Sequence, residues 1–127
     1  MLVKLQDLYF KPFISEEKIQ ATVQQMVDAI AEDLKDEMPI FVGILNGSFM
    51  FVRDFVKKYP YPCEVTFIKL ASYDGVKSTE DIQRLIGLTQ DLTGRTVVIL
   101  EDIIDSGNTL AEVHRIFKNS IFKVENF

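Results

Sequence analysis

Three carboxylates and a hydroxyl-bearing turn occur together in residues 97–110. Glu101 and Asp102 directly follow a run of apolar residues, and Asp105 comes three residues after Asp102. The next four residues, which lead into apolar residues at helical spacing, are Ser106, Gly107, Asn108 and Thr109. Carboxylates beside a polar turn, at the end of a buried strand, predict a site for a charged ligand that carries hydroxyl groups.

The turn at residues 106–109 has the composition of a phosphate site. A glycine-containing turn at a helix N-terminus directs backbone N–H groups toward one point and adds the positive end of the helix dipole. Gly107 lets the backbone approach a ligand closely or take a positive φ. Because Ser106 and Thr109 add hydroxyl donors, we expect this turn to bind a phosphate monoester.

Glu101 and Asp102 require a different partner, because adjacent carboxylates repel phosphate. They suit sugar hydroxyls, for which they are acceptors, or a hydrated Mg²⁺. The combined pattern indicates a sugar 5-phosphate, with the phosphate in the turn and the ribose diol at the acids. The alternative is a solvated acidic turn before a capped helix. The buried strand before the acids and the Ser-Gly-x-Thr pattern after them favour the ligand site.

Alternating strand and helix patterns predict the elements that position these residues. Ser15 is a predicted N-cap, and apolar residues at helical spacing follow it until Pro39. Polar turns are predicted at 46–48, 59–62 and 91–94, a helix after each of residues 48 and 109, and a long polar loop at 71–84. Strands are predicted at 40–45, 64–70, 85–88 and 96–100, with one more beginning in 120–127.

This order predicts an α/β domain with a mainly parallel twisted sheet flanked by helices. Ligands of such sheets lie beyond the carboxyl ends of the strands. We therefore expect residues 45–48, 71–84 and 101–109 to converge on one site.

Composition narrows the classes of function. The 127 residues are enough for one domain, and we assign residues 1–127 to it. A formal net charge of −5 disfavours a nucleic-acid partner. No apolar run is long enough to span a membrane, residues 1–11 do not resemble a signal peptide, and Cys63 is the single cysteine. These features are typical of a soluble cytoplasmic protein.

The strand-acid-acid-aliphatic-aliphatic-Asp-Ser-Gly-x-Thr pattern resembles the signature of the type I phosphoribosyltransferase family for 5-phosphoribosyl 1-pyrophosphate. The segment Leu45-Asn46-Gly47-Ser48 is similar to the first active-site loop of its hypoxanthine-guanine branch, and Ser72-Tyr73 to the start of that branch's lid loop. The resemblance covers about residues 18–118. It implies purine salvage, in which hypoxanthine or guanine becomes IMP or GMP and pyrophosphate is released with the help of Mg²⁺.

The resemblance also implies roles for individual residues. Glu101 and Asp102 would hold the ribose hydroxyls and, through water or ribose, Mg²⁺. Asp105 would be the catalytic acid or base at purine N7. Contacts to the 5-phosphate would come from Asp105, Ser106, Gly107, Asn108 and Thr109. Pyrophosphate would meet the backbone of Leu45, Asn46 and Gly47. Ser72 and Tyr73 would cover the site.

The sequence departs from the family pattern in two respects. Family members often have Lys where Asn46 and Asn108 stand, so two positive charges are missing; Lys69 and Arg84 are candidates to supply charge nearby. Family members also continue beyond the helix that ends near Lys118, and residues 119–127 do not match them. We therefore expect a phosphoribosyltransferase core that is incomplete at its C-terminus, and a homo-oligomer for a full-length chain.

Two other functions stay open. One is a non-catalytic phosphoribosyltransferase-like regulator, or an inactive fragment, that binds only the sugar phosphate. The other is a receiver-like signalling domain, which also carries acids at strand ends. That class needs acids after its first strand, whereas the strand at 40–45 is followed by Asn46 and Gly47.

Overall fold

The computed structural model describes residues 1–71, 83–86, 92–103, 108–118 and 121–126. The helices in these ranges are α1 (Glu16–Leu34), α2 (Phe49–Lys58) and α3 (Asn108–Ile116). The strands are β1 (Val3–Leu5), β2 (Leu8–Phe10), β3 (Ile40–Leu45), β4 (Glu64–Ala71), β5 (Gln83–Ile86), β6 (Thr96–Glu101) and β7 (Ile121–Asn126).

Five of these strands form one sheet in the order β5-β4-β3-β6-β7. Strands β4, β3, β6 and β7 run parallel, and β5 pairs antiparallel with β4 at one edge. Helix α2 connects β3 to β4 and α3 connects β6 to β7, since parallel neighbours need a crossover. The predicted α/β class with a mainly parallel sheet is confirmed.

Apolar side chains cover both faces of the central strands β3 and β6, which is why these strands show no polar alternation. On one face, helices α1 and α2 pack over a cluster that includes Phe41, Phe55, Val98 and Leu100. On the opposite face, α3 and the residue after it contribute to a second cluster that includes Ile40, Val42, Ile99, Val113 and Phe117. The predicted buried strands therefore form the centre of the core.

Helix α1 begins where the sequence predicts. The Ser15 Oγ accepts a hydrogen bond from the Lys18 backbone N–H at 3.1 Å, and this bond caps the first turn. Glu16 and Glu17 lie in that turn, at the positive end of the helix dipole. Within the described ranges, none of the helices has the length and apolar content needed to cross a membrane.

The region around β5 differs from the expectation. The strand predicted at 85–88 is wrong by two residues, because β5 spans Gln83–Ile86. The predicted loop at 71–84 is shorter at both ends, since Ala71 belongs to β4 and pairs with Gln83. Because residues 83 and 84 are polar, apolar alternation does not indicate the start of this strand. Backbone pairing, by contrast, does not depend on side-chain polarity. The remainder of that loop, 72–82, lies outside the described residues.

The N-terminal hairpin of β1 and β2 is not predicted by the sequence patterns. Its strands have three residues each, and its side chains are exposed, so no buried face produces a periodic signal. Gln6 takes the positive φ of 54° that the two-residue turn requires. Asn, Asp or Gly usually signals such a turn, and Gln does not.

Gly43 lies where β3 passes beneath α2. A Cβ at this position would lie 2.7 Å from Val52 Cγ2 and 2.8 Å from two ring carbons of Phe67. Any larger residue would therefore push α2 or β4 away from β3. The absence of a side chain at Gly43 lets α2 lie close to the sheet. This packing sets the position of the turn between β3 and α2.

We expect Gly43→Ala to lower the free energy of unfolding by about 1–3 kcal/mol, because the new methyl group overpacks the core. Urea unfolding measures the change. The double variant Gly43→Ala/Val52→Ala should recover part of the loss, since it removes the atom that the methyl group meets. Asp33→Ala, on the exposed face of α1, is the control and should change stability little. Equal stability of Gly43→Ala and the unmodified chain would contradict this account.

Candidate functional site

The pairing of β3 with β6 places two chemically distinctive segments side by side. The strands are parallel neighbours with Gly43 opposite Leu100, so both end at the same edge of the sheet. Beyond β3 the chain enters the turn at 46–48, and at the end of β6 it reaches Glu101 and Asp102. This edge is where open α/β sheets bind their ligands.

Backbone and side-chain hydrogen bonds hold the turn at 46–48. Ser48 is completely buried, and its Oγ donates a hydrogen bond to the Ile44 carbonyl oxygen at 2.5 Å. The Phe49 N–H donates to the Asn46 carbonyl at 3.4 Å, and the Leu45–Asn46 peptide bond is cis. The turn is thus tied to the end of β3 before α2 begins.

Gly47 packs against the carboxylate of Asp102. A Cβ on Gly47 would lie 2.8 Å from Asp102 Oδ2 and 3.3 Å from both Cγ and Oδ1. Only a residue without a side chain allows this approach. The contact joins the predicted pyrophosphate loop to the predicted ribose-binding acids, which are distant in sequence.

The two acids are held by short-range hydrogen bonds. Glu101 Oε1 accepts from the Asp102 N–H at 3.1 Å, and Asp102 Oδ1 accepts from the Ile103 N–H at 3.0 Å. Both bonds bind one carboxylate oxygen to local backbone, so each side chain has a defined direction. The Ile103 side chain follows them and is 71% exposed, which is unusual for an isoleucine beside polar residues.

The Glu101 carboxyl holds its proton more tightly than an exposed glutamate does. Its pKa is raised from 4.5 to about 7, mainly because the group is buried and further because the neighbouring Asp102 carboxylate contributes a hydrogen bond and its charge. The hydrogen bond from the Asp102 backbone acts in the opposite direction. Glu101 therefore holds a proton at mildly acidic pH.

A cleft of about 630 Å³ opens beside Gly47 and Asp102. It lies between the start of α1, the start of α2 and the residues after β6. Most of its lining is apolar, and it includes Ile14, Ile19, Met50, Phe51 and Ile103. A volume of this size is typical of a small-molecule site.

Glu101 and Asp102 are better suited to a Mg²⁺ ion that is bound partly by water and substrate than to a metal ion bound by protein ligands alone. Within the described ranges, no group of three or more His, Cys, Asp or Glu side chains could hold a metal ion. Glu101 and Asp102 offer two carboxylates at most. Mg²⁺ commonly uses one or two carboxylates together with water and substrate phosphates, so the donor set suits an ion that arrives with a phosphate ligand.

The structure brings together five of the predicted site residues: Leu45, Asn46 and Gly47 lie next to Glu101 and Asp102 at one edge of the sheet. Asn108 and Thr109 form the start of α3, so the predicted phosphate turn leads directly into a helix. The predicted residues that lie outside the described ranges are Ser72, Tyr73, Asp105, Ser106 and Gly107. Their roles stay predictions.

The sequence patterns do not predict two features of the site. The first is the buried Ser48 side chain, which binds back to β3 instead of capping α2. The second is the contact between Gly47 and Asp102. An Asn-Gly pair signals a turn, but no local pattern shows which side chain approaches that turn across the sheet.

Comparison with known proteins gives a consistent family. The phosphoribosyl transferase domain family matches residues 15–124. A hypoxanthine phosphoribosyltransferase of Salmonella typhimurium is 43% identical over 107 residues, which cover 81% of this chain and 60% of that protein. A hypoxanthine-guanine phosphoribosyltransferase of Bacillus subtilis is 32% identical over 109 residues, covering 85% and 61%.

Solved structures agree with this result. The crystal structure of a hypoxanthine-guanine phosphoribosyltransferase from Bacillus anthracis superposes with a TM-score of 0.84 at 28% identity. The match covers 93% of this chain and 72% of that one. The chain thus spans about 60% of the length of the curated relatives that it matches.

We expect Glu101→Gln to become progressively more stable than the unmodified chain between pH 4.5 and pH 7. With a folded pKa of about 7, raised from 4.5, native Glu101 keeps a proton that the unfolded chain releases across this range. Its contribution to stability therefore falls as the pH rises and is fully lost above about 7. Glutamine cannot lose a proton and avoids this change.

Urea unfolding at pH 4.5, 6 and 8 tests this expectation, with Asp33→Asn on the exposed face of α1 as the control. Carbon NMR of the Glu101 carboxyl should give a midpoint near 7. A midpoint at the usual glutamate value, or a stability difference that does not change with pH, would contradict the account of the acid pair.

Proposed function

Since the chain belongs to the phosphoribosyl transferase domain family, we propose that it acts in purine salvage as a pentosyl-transferring enzyme. It transfers ribosyl 5-phosphate from 5-phosphoribosyl 1-pyrophosphate to N9 of hypoxanthine or guanine. The products are IMP or GMP and pyrophosphate. The similarity to hypoxanthine and hypoxanthine-guanine phosphoribosyltransferases supports this choice of substrates.

The observation that carries the proposal is the contact between Gly47 and the Asp102 carboxylate. A ligand that binds there meets exposed turn backbone on one side and hydroxyl acceptors on the other. A phosphoribosyl pyrophosphate has the matching groups, because its pyrophosphate and its ribose diol lie on adjacent carbons. Neither a simple phosphate nor a free sugar would use both surfaces.

Different site residues bind different parts of the substrate. The backbone of Leu45, Asn46 and Gly47 binds pyrophosphate, and Glu101 and Asp102 accept hydrogen bonds from the ribose hydroxyls. The 5-phosphate is bound at the start of α3 by Asp105, Ser106, Gly107, Asn108 and Thr109. Ser72 and Tyr73 cover the reacting atoms and exclude water, which would otherwise hydrolyse the sugar.

Asp105 handles the proton of the purine. As the bond to pyrophosphate breaks, the ribose carbon gains positive character and N9 of the base attacks it. The base must then lose a proton, and Asp105 accepts it from N7 as a general base. The ribose-binding acids also place negative charge near the cationic carbon, which favours the transition state.

Mg²⁺, when bound, neutralises charge on the leaving pyrophosphate. Glu101 and Asp102 would hold it through water or through the ribose hydroxyls. The donor set described above supports this assignment, because two carboxylates suit an ion that is bound mainly by the substrate.

Three further properties belong to the proposal. Residues 1–127 form a single phosphoribosyltransferase core domain. The reaction takes place in the cytoplasm, which agrees with a single, partly buried cysteine, Cys63. The full-length protein is a homo-oligomer and binds neither nucleic acid nor membrane, as expected for an acidic chain with small-molecule substrates.

The purified chain, incubated with 5-phosphoribosyl 1-pyrophosphate, Mg²⁺ and hypoxanthine, should form IMP, measured by chromatography. Asp105→Asn should lower turnover by about 10²–10⁴-fold while sugar-phosphate affinity changes little, because it removes the proton acceptor and keeps the shape. Binding of the sugar pyrophosphate without IMP formation would contradict the transferase and favour a non-catalytic regulator or inactive fragment. Equal losses of affinity and turnover in Asp105→Asn would contradict its acid–base role.

Gly47→Ala should weaken binding of 5-phosphoribosyl 1-pyrophosphate by about tenfold or more, because the new methyl group displaces the Asp102 carboxylate and enters the turn. Calorimetry measures the affinity. Gly94→Ala is the matched control: Gly94 has a φ of 78° and precedes β6, away from the carboxyl edge. This control should lose stability but keep affinity. Unchanged affinity in Gly47→Ala would show that the contact between Gly47 and Asp102 does not contribute to substrate binding.

A further inference from the structure

The proposed pyrophosphate loop lacks a positive charge. Residues 45–48 are Leu, Asn, Gly and Ser, so they offer backbone and side-chain dipoles only. On the β6 side, the acidic side chain of Asp102 lies against Gly47. Pyrophosphate carries several negative charges. Besides the charge that Mg²⁺ would carry, a cationic side chain close to the loop would therefore favour binding of this anion.

Lys69 lies beside the start of that loop. In the parallel pairing of β4 with β3, Lys69 is opposite Leu45. Neighbouring strands are about 4.8 Å apart, and an extended lysine side chain spans a greater distance than that. The ammonium group of Lys69 can therefore reach the backbone of the loop without movement of the sheet.

Alternation along β4 assigns Lys69 to the face of the sheet that carries α2. Phe67, two residues earlier, packs near Gly43 and against the cluster beneath α1 and α2. Ile68 packs in the cluster on the opposite face. Because side chains two apart share a face, Lys69 is on the side where the chain leaves β3 and turns into α2.

Lys69 is a partly buried cation that no ion pair or side-chain hydrogen bond links to the described part of the chain. Two cations of α2 already have polar partners: Arg53 pairs with Asp54 at 3.0 Å, and Lys58 donates to Gln20 at 2.5 Å. A lysine removed in part from water is favourable when an anion compensates it. Within the described residues Lys69 has no such anion, and the pyrophosphate of a substrate would supply one.

The strand pairing also changes at Lys69. Lys69 is opposite Ile86 in β5, whereas Leu70 is opposite Arg84, so the register shifts by one residue between them. Such irregularities bend a strand and often occur beside active sites, where they direct a side chain. The shift lies at the carboxyl edge of β4, next to the proposed loop.

We infer that Lys69 binds the pyrophosphate of the sugar substrate and supplies the charge that Asn46 does not. This inference rests on the proposed function and adds a residue to it. Strand order assigns Lys69 to pyrophosphate and not to the 5-phosphate, because β3 separates β4 from β6, after which the 5-phosphate turn follows. Lys69 contacts substrate but does not take part in proton transfer.

Calorimetric titration with Mg²⁺-pyrophosphate and, separately, with ribose 5-phosphate tests the assignment. Lys69→Met keeps the apolar stem and should weaken pyrophosphate binding by about tenfold or more, since a charge-assisted contact is lost. Its affinity for ribose 5-phosphate should stay the same. Lys69→Arg should retain most of the pyrophosphate affinity. Lys57→Met, an exposed lysine on α2, is the control and should bind both ligands normally.

The outcomes separate this inference from the proposed function. Equal pyrophosphate affinity in Lys69→Met and the unmodified chain overturns the assignment of Lys69 alone. Parallel loss of both ligands in Lys69→Met also overturns it, because that result indicates a structural role; melting temperatures identify misfolding. An unmodified chain that binds neither ligand overturns both the inference and the proposed function.

Discussion

The parallel pairing of β3 with β6 is the constraint on which the candidate site depends. It brings the turn after β3 against the acids after β6, so that Gly47 lies in contact with the Asp102 carboxylate. Neither segment forms a site alone. The turn offers only backbone and side-chain dipoles, and the acids offer only hydrogen-bond acceptors. Since both are anchored to buried central strands, their relative position is set by the most rigid part of the molecule.

Close packing at two glycines sets the positions of α2 and of the turn at 46–48 relative to the central strands. Gly43 lets α2 lie near β3, and Gly47 lets the turn approach β6. Directly after Gly47, the buried Ser48 hydroxyl binds to the Ile44 carbonyl, so the turn cannot rotate away without leaving a buried polar group unpaired. The three residues therefore act at different points of one short segment, and together they hold backbone groups in position for a ligand.

Most of the fold could be predicted from sequence because its central elements carry strong local signals. The strands β3 and β6 are apolar throughout, and α1 has a capping serine, which the structure confirms. The hairpin of β1 and β2 could not, since its exposed strands have no buried face to impose a pattern. The position of β5 could not, since this strand begins with the polar residues Gln83 and Arg84. The clustering of acids and polar turns could be predicted from topology, whereas the contact of Gly47 with Asp102 could not, because it depends on side-chain placement across two strands.

Electrostatics explains why so few residues can bind a polyanion in a chain with a net charge of −5. An acidic chain does not attract a polyanion over long distances, so the proposed substrate would have to be bound by short-range groups: oriented backbone N–H donors, a nearby ammonium group and charge carried by Mg²⁺. Partial protonation of Glu101 reduces repulsion on the β6 side, because burial and Asp102 favour its neutral form. Positive charge then matters most on the β4 side, where Lys69 lies in register with Leu45. The site is therefore asymmetric, with acceptors toward β6 and a donor toward β4, and this polarity would orient the proposed substrate, which has hydroxyl groups at one end and pyrophosphate at the other.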